Sequence, residues 1–166
     1  MNKKVVLVFA ALMLVSGMAF GQSLSKDGML INPGSINASA GLGYGWGWGI
    51  GLGGGAEFAI GKFMIAETLP FTYGAAGRVG IDFGFNYSAL SVAALGTVHF
   101  CWGSLDLPEE LAWLDNFDTY LGLGLQILPS LGLASIGGTS YFLNKNLAIN
   151  FEGGLRGSYV GVLLKL

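Results

Sequence analysis

From residue 35 to residue 61 the chain alternates. Even positions carry Ile36, Ala38, Ala40, Leu42, Tyr44, Trp46, Trp48, Ile50, Leu52, Gly54, Ala56, Phe58 and Ile60, and of these only Gly54 lacks an apolar side chain. Odd positions carry Ser35, Asn37 and Ser39, then glycine at every odd position from 41 to 55, then Glu57, Ala59 and Gly61. Successive side chains of a strand point to opposite faces, so this pattern predicts β-structure with one bulky face and one nearly bare face. A helix would mix both kinds on every face, and each interior glycine would cost it about 1 kcal/mol against alanine.

The period returns downstream. Phe71, Tyr73, Ala75, Val79, Ile81, Phe83 and Phe85 share a face opposite Thr72, Ala76, Arg78 and Asp82. Leu90, Val92, Ala94, Val98, Phe100 and Trp102 oppose Ser91, Thr97, His99 and Cys101. Phe117, Leu121, Leu123, Leu125 and Ile127 oppose Asp118, Tyr120 and Gln126. Leu131, Leu133, Thr139, Tyr141 and Leu143 form an outer row, Leu147, Ile149, Phe151 and Leu155 oppose Asn150, Glu152 and Arg156, and Val160, Val162, Leu164 and Leu166 close the chain.

Residues 35–61 as one strand would exceed about 80 Å at ~3.3 Å per residue, whereas a membrane strand needs about 9–11 residues. The segment must turn back without changing phase, which an odd loop allows. Gly45-Trp46-Gly47 is the preferred turn, with Tyr44 opposite Trp48. A turn at Gly53-Gly54-Gly55 would drive Lys62 outward near mid-strand, at about 2–4 kcal/mol in a bilayer centre. The same parity argument predicts turns at Asn86-Tyr87, Leu128-Pro129-Ser130, Asn144-Lys145-Asn146 and Gly157-Ser158, with longer connections at 62–70 and 103–116. Eight strands in four hairpins result.

A soluble sheet of this kind would need a large apolar layer over its bulky face, and the remaining sequence supplies no helices for it. Lipid can supply it. Backbone groups cannot remain unpaired in hydrocarbon, so a membrane sheet must close on itself. The expected fold is all-β, a closed eight-stranded antiparallel up-and-down transmembrane barrel over residues 35–166. Composition agrees. Of 166 residues, 29 are glycine and only 11% are charged, against about 25% charged in an average soluble domain.

Residues 1–21 read as a cleaved secretory signal. Lys3 and Lys4 precede an apolar run over residues 5–15, and Ala19-Phe20-Gly21 places small residues before a cut at Gln22. A spanning helix would want about 20 apolar residues. Removing the signal leaves six basic and ten acidic side chains, a net charge of −4. No basic stripe exists to neutralise phosphates, so nucleic acid is excluded as a partner. The lone Cys101 excludes an internal disulfide framework. Residues 22–34 are too short and turn-rich for another strand and read as a tether or partial plug.

On this alternation, strand number and signal, the chain resembles small eight-stranded outer-membrane barrels of the OmpA, OmpX, OmpW and opacity-protein kind. Its last strand, residues 159–166, resembles a barrel-assembly signal but ends in Leu166 rather than an aromatic residue. The resemblance implies the bacterial outer membrane as location. It implies outer-membrane lipid as a partner, with barrel-assembly machinery and periplasmic chaperones during biogenesis.

The interior should hold the charges. Glu57, Arg78, Asp82, Asp118, Glu152, Arg156 and Lys165 are predicted to face the lumen, with His99 nearby, and to pair, because a lone buried charge is costly. Arg78 and Arg156 are the candidate hubs, since guanidinium binds carboxylates bidentately. Tyr44, Trp46, Trp48, Tyr73, Trp102 and Tyr141 fall near strand ends and form a candidate aromatic belt at the membrane interface. Tyr120, Phe142 and Tyr159 are candidates to fill the space left by inward glycines on the second strand. Leu107 to Leu114 reads as one short helix. His99 and Cys101 share a face and could begin a metal site, but no third ligand is suggested, and no metal or cofactor is assigned. The glycine run lacks the spacing and following helix of a dinucleotide fingerprint, and no nucleophile motif accompanies His99. The function expected is therefore non-enzymatic: a structural barrel or a narrow pore for small solutes. The alternatives are a surface adhesin or ligand-binding barrel, which would want longer outer loops, and an exported glycine-rich cross-β protein.

Overall fold

The computed structural model describes residues 28–45, 49–84, 88–155 and 157–166. Eight strands follow one another: β1 Ile36–Gly45, β2 Gly49–Ile65, β3 Leu69–Phe83, β4 Ser88–Cys101, β5 Phe117–Leu128, β6 Gly132–Phe142, β7 Leu147–Gly154 and β8 Gly157–Lys165. Each pairs antiparallel with its neighbour in sequence, and β1 pairs with β8, so the sheet is a closed up-and-down barrel. Closure removes every sheet edge.

The alternation decides what faces where. Along β4 the outward positions include Trp102 just past its end, then Val98 and Leu90, all exposed, while Cys101, His99, Thr97, Leu95, Ala93 and Ser91 are buried inward. The outer wall is apolar and open on every strand, with Leu133 reaching 84% exposure. A sheet that hides His99 and shows Leu133 reverses the burial pattern of a soluble protein.

Parity placed two turns in register. Gln126 pairs with Gly132 about a centre at Pro129, and Phe142 pairs with Ala148 about a centre at Lys145. Three other turns are corrected. Gly45 pairs with Gly49, so the first turn is centred on Gly47 rather than Trp46. Phe83 pairs with Ser88, which makes the β3–β4 connection four residues long instead of two. Gly154 pairs with Gly157, which moves the last turn back from Gly157-Ser158. The reason is common to all three: parity fixes only whether a loop is odd or even, and each observed loop keeps the expected parity while its centre shifts.

The long connection expected at 62–70 is also corrected. Ala59 pairs with Gly74 but Gly61 pairs with Tyr73, so Ile60 is an extra residue and the strand changes phase there. A bulge of this kind re-aims the residues beyond it. Lys62 comes opposite Thr72, an inward position, and Phe63 comes opposite outward Phe71. With the phase reset, β2 and β3 continue to a tight turn at Ala66-Glu67-Thr68, where Ala66 and Glu67 take φ values of 51° and 61°. The 103–116 connection remains long. Its helix is of the 3-10 type over Glu109–Asn116, with Pro108 immediately before it and Glu109 and Glu110 in its first turn.

Candidate lumen network

The lumen is layered, and β4 and β6 display the order. From the end where the chain enters and leaves the barrel, β4 points Cys101, His99, Thr97, Leu95 and Ala93 inward, while β6 points Phe142, Ser140, Gly138, Ile136 and Ala134. The first layer is apolar: Cys101 and Phe142 pack with Leu30, Ile31, Ala59, Ala148 and Leu163. The last is apolar as well, with Leu95, Ala93, Ile136 and Ala134 joined by Ala76, Tyr120 and Leu155. Between them lies a polar layer.

That middle layer is one connected system. His99 Nδ1 lies 2.7 Å from Asp118 Oδ2, and His99 Nε2 lies 2.6 Å from Glu57 Oε1. An imidazolium, which donates from both nitrogens, satisfies two flanking carboxylates at once. Thr97 Oγ1 donates to the same Glu57 oxygen at 2.7 Å. Glu57 Oε2 is 3.6 Å from an Arg78 terminal nitrogen, and Arg78 Nε donates to Glu152 Oε2 at 3.0 Å. The Tyr120 hydroxyl is 2.8 Å from that Glu152 oxygen and 3.1 Å from Asn150 Oδ1, which also accepts from Ser140 Oγ at 2.9 Å. The His99 ring stacks on Tyr120 with centroids 5.2 Å apart. The system therefore braces β2 through β7 across the barrel, joining residues as far apart in sequence as Arg78 and Glu152. Removing one member of such a network leaves another buried charge unpaired, which is strongly destabilising.

Tyr159, next to Glu152 in the β7–β8 register, fills the lumen beside this network. Its ring stands against β2, where a Cβ on Gly53 would lie 3.0 Å from it, and its hydroxyl is 3.4 Å from Asp82 Oδ1. Gly53 and Gly51 are thus the hollow into which the ring fits. A cavity of about 10 Å³ is bordered by Ser39, Gly53, Asn150, Glu152 and Tyr159. That is about the room one water needs. A larger groove of about 370 Å³ lies at the barrel wall, over Gly137, Gly153, Ser158 and Phe151.

The chain entering the barrel closes its near mouth. Met29, Leu30 and Ile31 are buried. Thr72 Oγ1 donates to the Ile31 carbonyl at 2.7 Å, and Lys165 Nζ donates to the Leu30 carbonyl at 2.8 Å.

Of the residues the sequence assigned to the lumen, Glu57, Arg78, Asp82, Asp118 and Glu152 are placed inside. Arg156 lies outside the described residues. The hub is His99, which the sequence placed on the inward face near the lumen charges and as a possible metal ligand, but not at the centre of the pairing. Its inward phase, among several inward carboxylates, was the available signal. Among the described residues no group of three metal-ligating side chains is arranged for an ion, and both His99 nitrogens are engaged by carboxylates.

Of the candidate belt, Tyr44, Tyr73 and Trp102 are exposed and Tyr141 is half-exposed, while Trp46 and Trp48 lie outside the described residues. At the near end the outer aromatics touch one another. Phe63 stacks on Phe71 at 5.4 Å, Phe71 meets Phe100 at 5.1 Å, and Phe100 meets Trp102 at 6.0 Å. Trp113 on the 3-10 helix meets Phe117 at 5.6 Å, and Phe117 meets Tyr141 at 4.9 Å.

No family model matches the sequence, and no curated protein matches it. Among solved structures, a chain described under "De novo design of transmembrane beta-barrels" superposes with a TM-score of 0.60. The two are 19% identical, and the match covers 83% of this chain and 100% of that one. At such low identity the likeness concerns the fold alone, a closed eight-stranded barrel.

Proposed function

We propose that this chain is an integral barrel of a bacterial outer membrane, non-enzymatic and structural, with its lumen closed in the described state. The observation that carries the reading is the inversion of burial. Apolar side chains are exposed around the whole wall, while Glu57, Arg78, Asp82, His99 and Asp118 of the strands are buried inside. Water would penalise the first arrangement by about 25 cal/mol for each Å² of apolar surface left exposed. Hydrocarbon removes that penalty and, through its lack of hydrogen-bonding partners, requires the closed sheet.

The narrow-pore alternative has less support, because the polar side chains of the lumen are bonded across the barrel and the cavity beside Glu152 and Tyr159 has room for about one water. Residues 1–21 are read as the export signal and lie outside the described residues, as do 22–27 of the tether. The test is to refold the chain from Gln22 onward in detergent. The expected result is a species that migrates differently on a gel before and after boiling and that leaves liposome swelling at the rate of protein-free vesicles. Rapid swelling would replace the structural reading by the pore. A monomer soluble in water without amphiphile would overturn the membrane reading itself.

A further inference from the structure

We propose that residues 29–31 are a hinged stopper over the near mouth of the lumen, and that its release gives small solutes access to the Glu57–His99–Asp118 layer. The inference rests on the membrane-barrel reading.

The barrel does not need this segment to close. β1 meets β8 from Asn37 onward, with Asn37 opposite Lys165. The segment instead lies across the mouth, with Leu30 and Ile31 packed on Ala59, Cys101, Phe142, Ala148 and Leu163. Two barrel side chains donate to its carbonyls, Thr72 to Ile31 and Lys165 to Leu30, while Met29 forms an isolated β-bridge and the Gly34 N–H donates to the Ala59 carbonyl at 2.7 Å. Neither side-chain bond is an ion pair, and water can replace both.

A left-handed glycine stands at each side. Gly28 has φ +71° and Gly34 has φ +87°, and a Cβ on Gly34 would meet nothing within 4 Å. Residues that absorb large backbone rotations at the ends of a segment are what a hinge requires. The closed state also leaves a buried group unserved. Both amide atoms of Asn37, between Glu57 and Lys165 in the register, lack a hydrogen-bond partner among the described residues. Admitting water at this mouth would satisfy them, so opening returns part of what it loses.

Cys101 is a built-in reporter, because it is buried in the same cluster as Leu30 and Ile31 and is the chain's single cysteine. The experiment uses the chain from Gln22 onward, refolded in detergent, with the boiling-dependent gel shift as the measure of the folded barrel. The rate at which a small methanethiosulfonate reagent labels Cys101 is then measured. Leu30→Ser with Ile31→Ser removes the apolar seat, and Lys165→Met removes one side-chain bond while keeping the bulk. The expected result is slow labelling of the parent, labelling at least tenfold faster in the double variant, and an intermediate rate for Lys165→Met, all with the gel shift kept. Should the double variant not fold, Lys165→Met carries the test alone. Labelling of a folded variant at the parent rate would overturn the stopper, since Cys101 would then be shielded by the barrel itself. Loss of the gel shift in the parent would instead count against the membrane-barrel reading.

Discussion

The two faces of β4 make opposite demands on chemistry. Outside, Val98 and Leu90 stand exposed. Inside, His99 and Thr97 are buried within hydrogen-bonding distance of carboxylates from β2 and β5. The outer face is stabilised by its surroundings and tolerates any apolar residue of suitable size. The inner face is stabilised by specific partners, and each residue there is answerable to another. Substitutions should therefore be costly inside for reasons of pairing, and outside for reasons of polarity.

The largest expected effect comes from breaking the inside. Arg78→Met leaves Glu57 and Glu152 buried without their guanidinium and should cost about 3–5 kcal/mol. Urea unfolding of the detergent-refolded barrel, followed by gel shift, would read this as a large drop in midpoint. A cost below about 1 kcal/mol would show that the network is incidental to the fold. Next comes the outside. Leu123 is 67% exposed on β5, and Leu123→Arg should cost about 2–4 kcal/mol in vesicles if the site lies near the bilayer centre. The same change should be nearly silent if that face meets water. The smallest effect sharpens the account of lumen filling. Gly53→Val places a side chain where the Tyr159 ring stands and should cost about 1–3 kcal/mol by overpacking. Combining it with Tyr159→Ala should recover part of that cost, a coupling that separate sites would not show.

Much of the barrel was legible in the sequence because side-chain parity is a local property. Asp82 stands between Ile81 and Phe83, Arg78 precedes Val79 and Asp118 follows Phe117, and the period of two assigns all three inward. The turns at Pro129 and Lys145 were legible for a further reason: the apolar rows on both sides run close to the loop and leave one centre. The glycine-rich first hairpin offers no such marker, since a shift by one residue exchanges glycine for glycine on the inner face. The bulge at Ile60 was not legible, because an extra apolar residue between Ala59 and Gly61 looks like a continuing strand until the partner strand is known. The role of His99 was hidden for the same reason. Its partners Glu57 and Asp118 stand 42 and 19 residues away, and only the register brings them to one height. Residues 29–31 could be read as a tether or a plug, and only the packing around Leu30 and Ile31 shows them buried in the mouth.

The central claim is that the bulky face of the alternation meets hydrocarbon. A spin-label scan across positions 121 to 125 of β5, in a Cys101→Ser background and in lipid vesicles, tests it directly. The account predicts that labels at 121, 123 and 125 collide readily with oxygen, which concentrates in the bilayer, and poorly with a water-soluble nickel chelate. Ready collision of the nickel chelate with all three odd positions would place that face in water and contradict the account.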